Sequence, residues 1–185
     1  MRGNGDDKDA TCFETHYGLR INSHDHSDRL AVTLYGLGEI LAPDAGKKGY
    51  GSGLQLNWMV QTIAHNTVTI NETTQYPQGD HNTVWVDPIP GRPPEGKLVF
   101  FHAGKKFKAI RAMSDKVYEG CVLDRTLILL NPFVIDIYRV SCDAESQIDW
   151  AWHGYGQAKS KRKLAQQGGS LSGRKGYMHL TNPAS

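Results

Sequence analysis

Short segments of alternating apolar and polar residues, separated by turns rich in glycine and proline, run through most of this sequence. In the clearest example, residues 29–35 (RLAVTLY) and residues 39–42 flank a turn that contains Gly36 and Gly38. Two such segments around a short glycine turn predict a β-hairpin. The 3.6-residue periodicity of an amphipathic helix is nearly absent. We therefore predict an all-β fold, an antiparallel β-sandwich of about ten or more strands with little helix.

The same pattern predicts further strands at residues 11–17, 61–71, 97–102, 106–112, 117–130, 133–140, 147–153 and 177–180. The intervening stretches 45–57, 73–96 and 156–175 are rich in turn residues, so we expect loops there. Within the last of these, the basic run 159–163 is either a plain exposed loop or a contact for an anionic polymer. Trp150 and Trp152 alternate along a predicted strand, which favours core positions over a sugar-stacking surface shared with His153.

The length of 185 residues fits a single domain. A chain of this size buries about 70% of its unfolded surface, so it needs no disulfide or metal merely to fold. We expect residues 1–10 to be a disordered lead-in. Residues 11–185 are predicted to form one β-sandwich domain that is truncated at both ends.

The charge balance excludes some functions. Lys and Arg number 21 and Asp and Glu 19, a formal net charge of +2 that is too small to indicate nucleic-acid binding. No stretch of about 18 apolar residues exists to span a membrane, and the first residues lack the apolar segment of a secretory signal. Cys12, Cys121 and Cys142 are too scattered for a zinc knuckle, so we expect mostly free thiols with at most one disulfide. A homo-oligomer remains compatible with this composition.

Three separate segments carry residues with metal-binding chemistry. His24 and His26 are two residues apart, so in an extended chain they project from the same face. Asp44 lies in the turn sequence APDAG, and His65 lies within the apolar sequence TIAHNT. Taken singly, the three motifs are better explained as a polar surface turn, a turn-capping aspartate and a hydrogen-bonded core histidine. Taken together, two His and one Asp supply three ligands and leave a fourth position of a tetrahedral zinc site for water or substrate.

The order of these motifs, HxHxxD, then PDAG, then TIAHNT, resembles the C-terminal β-sandwich domain of heparinase II/III-like polysaccharide lyases, a group that includes heparinases and oligoalginate lyases. The similarity extends from about Thr11 to Gly156 and includes the later sequences 134–140 (VIDIYRV) and 149–154 (DWAWHG). It implies that His26, Asp44 and His65 hold a structural zinc. It also implies that His24 reaches the substrate as a catalytic residue, and that Tyr17 and Tyr50 line the substrate cleft.

The resemblance further implies β-elimination of an acidic, uronic-acid polysaccharide and a periplasmic or extracellular location. Members of the group take most other catalytic residues from a preceding α-helical toroid domain, which 185 residues do not accommodate. We therefore expect a fragment that is inactive alone. Two alternatives stay open, a non-catalytic carbohydrate-binding or scaffold module and a small jelly-roll zinc hydrolase.

Overall fold

The computed structural model describes residues 1–3, 8–19, 25–49, 51–75, 95–157 and 159–184. This part of the chain contains strands β1 (Cys12–His16), β2 (Ala31–Gly36), β3 (Glu39–Ala42), β4 (Val68–Ile70), β5 (Lys97–Ala103), β6 (Lys108–Ser114), β7 (Cys121–Leu130), β8 (Phe133–Cys142) and β9 (Ile148–Trp150). A short π-helix (Gln55–Met59) and two 3₁₀ turns (Thr62–Ala64 and Tyr177–His179) are the helical elements there. The all-β prediction is confirmed, although the described residues form nine strands rather than ten or more.

All strand pairs are antiparallel, and they form three sheets. One sheet has the order β1-β2-β3, a second β5-β6-β7-β8, and a third pairs β4 with β9. The hairpins predicted at β2/β3, β5/β6 and β7/β8 are all present. The β7/β8 ladder keeps one register along its whole length, from Cys121 opposite Cys142 to Leu130 opposite Phe133.

The first and second sheets pack face to face around an apolar core. One cluster joins Phe13 and Val32 from the first sheet to Ile110, Leu127 and Leu129 from the second. Because successive side chains in a strand point to opposite faces, the inward residues of each strand meet across the sandwich. A second cluster extends this core toward β4 and the start of β7.

A buried arginine connects this core to the segment that carries His65. Arg125 on β7 forms a paired contact with Asp136 on β8, with Nη2 to Oδ2 at 2.6 Å. Its Nη1 donates to the backbone carbonyls of Leu30 and Asn66, at 2.5 and 2.6 Å. The second sheet therefore fixes the backbone at Leu30, shortly after His26, and at Asn66, directly after His65.

The strand predicted at residues 61–71 is mostly wrong. A 3₁₀ turn occupies Thr62–Ala64, and only Val68–Ile70 is extended and paired. The Thr62 hydroxyl donates to the Ser27 carbonyl at 2.6 Å, and the Asn66 amide donates to the Val32 carbonyl at 2.9 Å. Polar side chains that bond backbone in this way replace ladder hydrogen bonds, which alternation alone does not reveal.

Two other predictions of local structure need correction. The stretch 45–57 is a loop only as far as the π-helix at Gln55–Met59. The strand predicted at 177–180 is a 3₁₀ turn, because backbone bonds from His179 to Gly176 and from Leu180 to Tyr177 close it. The described residues of the stretch 156–175 are largely exposed, as expected. Most of the loop predicted at 73–96 lies outside the described residues.

Cys121 and Cys142 form a disulfide, so the expectation of mostly free thiols is wrong while that of at most one bridge holds. The two cysteines face each other across the β7/β8 ladder with Cα atoms 4.1 Å apart, a relation that follows from register and not from sequence spacing. Cys12 is free.

At the start of the chain, Gly3 donates its backbone N–H to the Thr11 carbonyl, beside β1. No helical element of the described residues combines the length and the apolar character that are needed to span a bilayer.

Candidate metal centre

Three of the predicted metal ligands converge. His26 precedes β2, Asp44 follows β3, and His65 follows the 3₁₀ turn. Each offers a ligand atom, and these atoms all lie within 4.8 Å of one another. The fold thus brings together side chains from three segments, as a shared cation requires.

His65 is fully buried and has a hydrogen-bond acceptor on each side. Its Nδ1 lies 2.7 Å from Asp44 Oδ1, and its Nε2 lies 3.0 Å from the backbone carbonyl of Met59. A neutral imidazole carries one N–H, so it satisfies only one of these two acceptors. A protonated imidazolium would satisfy both acceptors, and a divalent cation shared by His65 and Asp44 would leave Nε2–H to donate to Met59. The second arrangement is the usual one for a metal-binding histidine oriented by a carbonyl.

The electrostatics at the centre favour positive charge between these groups. Burial opposes ionisation of Asp44, yet the hydrogen bond to His65 and that residue's charge lower the pKa of Asp44 to about 2. Burial also opposes a charged His65, but the hydrogen bond to Asp44, the charges of Asp28 and Asp44 and the Met59 carbonyl together raise the pKa of His65. The pKa of His26 is lowered, first by burial and then by the charge of His65. An ionised carboxylate beside one basic and one neutral imidazole is a suitable ligand set for a divalent cation.

His26 lies beside His65, with ring centroids 5.2 Å apart and planes inclined at 50°. Buried Gln55 contacts His26 as well, with its Nε2 3.5 Å from His26 Nε2. The Gln55 Oε1 accepts the backbone N–H of Lys48 at 2.6 Å, so its amide nitrogen faces the imidazole. Gln55 therefore restricts the rotation of His26.

Buried Asn66 joins the segments of two ligands. Its amide donates to the carbonyl of Pro43 at 2.8 Å, directly before Asp44, and it is itself the neighbour of His65. Its Oδ1 accepts the backbone N–H of His153 at 2.6 Å, and His153 Nε2 donates to the Ile63 carbonyl at 2.8 Å. The relative position of Asp44 and His65 is thus fixed by hydrogen bonds to backbone.

Residues 12–181 match the family model described as heparinase II/III-like, C-terminal. The chain belongs to this family. Among curated proteins it is similar to an exo-oligoalginate lyase of Saccharophagus degradans, with 29% identity over 85% of this chain and 23% of the relative. It is also similar to an alginate lyase of Stenotrophomonas maltophilia, with 27% identity over 85% of this chain and 23% of that protein. The chain therefore spans about a quarter of the length of these relatives.

Solved structures support the fold of this heparinase II/III-like domain. A heparinase III structure superposes with a TM-score of 0.69 at 18% identity, over 91% of this chain and 25% of the other. A mutant heparan sulfate lyase from Pedobacter heparinus gives a TM-score of 0.70 at 17% identity, over 100% of this chain and 31% of the other. At these identities the likeness establishes the architecture of the domain.

The other predicted site residues have different outcomes. His24 and Tyr50 lie outside the described residues, so their roles stay predictions. Tyr17 is half-buried and packs against both larger core clusters, with its backbone carbonyl accepting the N–H of Gly96. Its packing accounts for its position, and a contact with substrate stays a prediction.

Sequence reasoning assigned no individual role to Gln55 or Asn66, which contact the segments of the candidate ligands. Asn66 directly follows His65 in the TIAHNT motif, where an asparagine suits the orientation of an imidazole. Gln55 follows a glycine-rich loop, and no pattern marks it as buried.

The core positions predicted for Trp150 and Trp152 are wrong. They are 57% and 47% exposed, and their rings form an edge-to-face pair with centroids 6.3 Å apart. Ala151 between them is buried and faces the opposite side. The domain therefore exposes an aromatic pair one residue from His153, which is bonded to Asn66 of the metal centre.

Proposed function

We propose that this domain is the metal-stabilised β-sandwich part of a lyase that cleaves uronic-acid polysaccharides by β-elimination. The convergence of His26, Asp44 and His65 carries the proposal. The names of the two curated relatives, an exo-oligoalginate lyase and an alginate lyase, support it. Alginate and its oligosaccharides are accordingly the first substrates to test. In this proposal the toroid domain expected from the resemblance supplies the remaining catalytic groups in a longer protein.

Zinc is the favoured metal, because two imidazoles and one carboxylate with nitrogen and oxygen donors suit its tetrahedral preference. When bound, it would cross-link three segments that the backbone brings together from different parts of the chain. His24 remains the proposed catalytic residue.

The chemistry requires such a histidine at a defined position. Abstraction of the C5 proton of a uronate places negative charge next to a carboxylate, so that charge must be neutralised first. The C4–O4 bond then breaks, and an acid protonates the departing oxygen. With a reference pKa of about 6.5, His24 is suited to take a proton or to hold a positive charge beside the carboxylate.

Activity is tested by adding alginate, oligoalginate and heparan sulfate and following the absorbance of the unsaturated product. We expect turnover in the longer protein, loss of turnover in His24→Ala with zinc retained, and loss of both in His26→Ala. Turnover that survives His24→Ala would contradict the role of that residue. The chain alone is expected to be inactive.

A carbohydrate-binding module is the second candidate, and the exposed pair of Trp150 and Trp152 favours it. Indole rings carry large apolar faces on which the C–H face of a sugar ring can pack. Binding of uronate oligosaccharides that is lost in Trp150→Ala, with no product from any polymer by the longer protein, would support this candidate over the lyase.

The proposed location is periplasmic or extracellular. The Cys121–Cys142 disulfide supports it, because disulfides persist in oxidising compartments.

A further inference from the structure

A second group of metal-binding side chains, His16, Asp25 and Asp28, lies beside the first. This second cluster differs from the first because the buried guanidinium of Arg29 lies in contact with its carboxylates. Nη2 of Arg29 lies 2.7 Å from Asp25 Oδ1 and 2.9 Å from Asp28 Oδ1. A permanent positive charge in contact with both carboxylates repels a metal cation. Arginine therefore takes the place that a cation would occupy in this cluster.

The histidine of this cluster is also engaged. Nη1 of Arg29 lies 2.9 Å from His16 Nε2. Because arginine only donates hydrogen bonds, Nε2 must be the acceptor, so the ring proton is on Nδ1. That proton is directed at the carboxylate of Asp28, whose oxygens lie 3.2 and 3.3 Å away. Both ring nitrogens of His16 are thus used by the cluster.

The same guanidinium holds backbone next to the metal centre. Nη2 donates to the carbonyl of His26 at 2.9 Å, and Nη1 donates to the carbonyl of Gly18 at 3.0 Å. Arg29 thereby fixes the peptide of His26, and it connects that peptide to the end of the segment that follows β1.

Arg29 is itself held from the opposite side. Its backbone N–H donates to Gln75 Oε1 at 2.7 Å, and its carbonyl accepts from Gln75 Nε2 at 2.9 Å and from Thr67 Oγ1 at 3.1 Å. Thr67 lies two residues after His65. The arginine is therefore a rigid connection between the His26 peptide and the segment of His65.

We propose that Arg29 is a positioning residue that directs His26 toward Asp44 and His65 and so sets the metal affinity of the centre. This inference rests on the proposed metal function. Energetics also support the inference. A buried ion pair often contributes less stability than well-packed apolar side chains, so stability alone does not explain an arginine at this position. Arg29 is 1% exposed, and among the described residues its Nε is a buried nitrogen without a hydrogen-bond partner.

The test is a zinc titration of the full chain against a chromophoric chelator, with urea unfolding of the metal-free protein measured in parallel. Arg29→Met should weaken zinc binding by about 10- to 100-fold, the range found when an orienting neighbour of a ligand is removed. Arg29→Lys keeps the charge but loses the planar fork, so it should weaken binding by a smaller factor. Arg111→Met is the control, because its pair with Asp124 lies on β6 and β7 and should leave zinc affinity unchanged.

Zinc affinity separates positioning from simple stabilisation. If Arg29→Met lowers the stability of the metal-free protein but binds zinc as the wild type does, the proposal is overturned. If Arg29→Met does not fold, Asp25→Ala decides, because it removes one acceptor of Arg29 Nη2 and should weaken zinc binding several-fold. An unchanged affinity in that variant would also overturn the proposal. Absence of zinc binding by the wild type would instead overturn the proposed metal function, and the Arg29 proposal with it.

Discussion

Replacement of Asn66 by alanine should destabilise the domain strongly and also impair the metal centre. The side chain is 1% exposed and makes three hydrogen bonds, donating to the carbonyls of Val32 and Pro43 and accepting from the backbone of His153. Each is worth about 1 kcal/mol net, and more where the group left behind is buried without a partner. The free energy of unfolding should therefore fall by about 3–5 kcal/mol.

Urea unfolding of the metal-free protein, followed by tryptophan fluorescence, measures this loss. Because the bond to Pro43 fixes the residue before Asp44, zinc affinity should fall as well. Asn131→Ala is the matched control, since this asparagine lies in the exposed β7/β8 turn and its replacement should change stability by about 0.5 kcal/mol or less. A loss below about 1 kcal/mol for Asn66→Ala would refute the view that its hydrogen bonds organise the site.

Other predictions concern the framework and the surface. Gly176→Ala should cost about 2–4 kcal/mol in urea unfolding, because φ is +82° and a Cβ would stand 2.4 Å from Ile63 Cγ2; full stability would contradict the placement of the C-terminal segment. Reduction of the Cys121–Cys142 disulfide, which spans 21 positions, should lower stability by about 3 kcal/mol, measured with and without reductant. Trp152→Ala should leave the melting temperature within a few degrees, because the ring is half exposed; a large fall would indicate that it is part of the core.

The sequence predicted the architecture well where alternation and turns act together. The β2/β3 and β7/β8 hairpins lie where the pattern predicts them, because two segments rich in apolar residues flank a glycine turn in the first and an Asn-Pro turn in the second. The strand predicted at residues 61–71 was mostly wrong for the opposite reason. Its polar residues bond backbone from other segments, and those partners are far away in sequence.

The candidate site was predictable only in part. Chemistry and motif order singled out His26, Asp44 and His65, and the fold brings them together. The roles of Gln55 and Arg29 depend on burial and on contacts across the fold. The sequence around a glutamine or an arginine in a polar stretch indicates neither its burial nor its contacts, so these two roles could be identified only from the structure.

The central claim is that His26, Asp44 and His65 bind one zinc ion, and X-ray absorption at the zinc edge of the purified protein tests it most directly. We expect one zinc per chain with two imidazole nitrogens at about 2.0–2.1 Å, an oxygen at a similar distance and no sulfur neighbour. The zinc should be lost in His65→Gln. A sulfur shell near 2.3 Å, or a single imidazole with zinc retained in His65→Gln, would contradict the assignment.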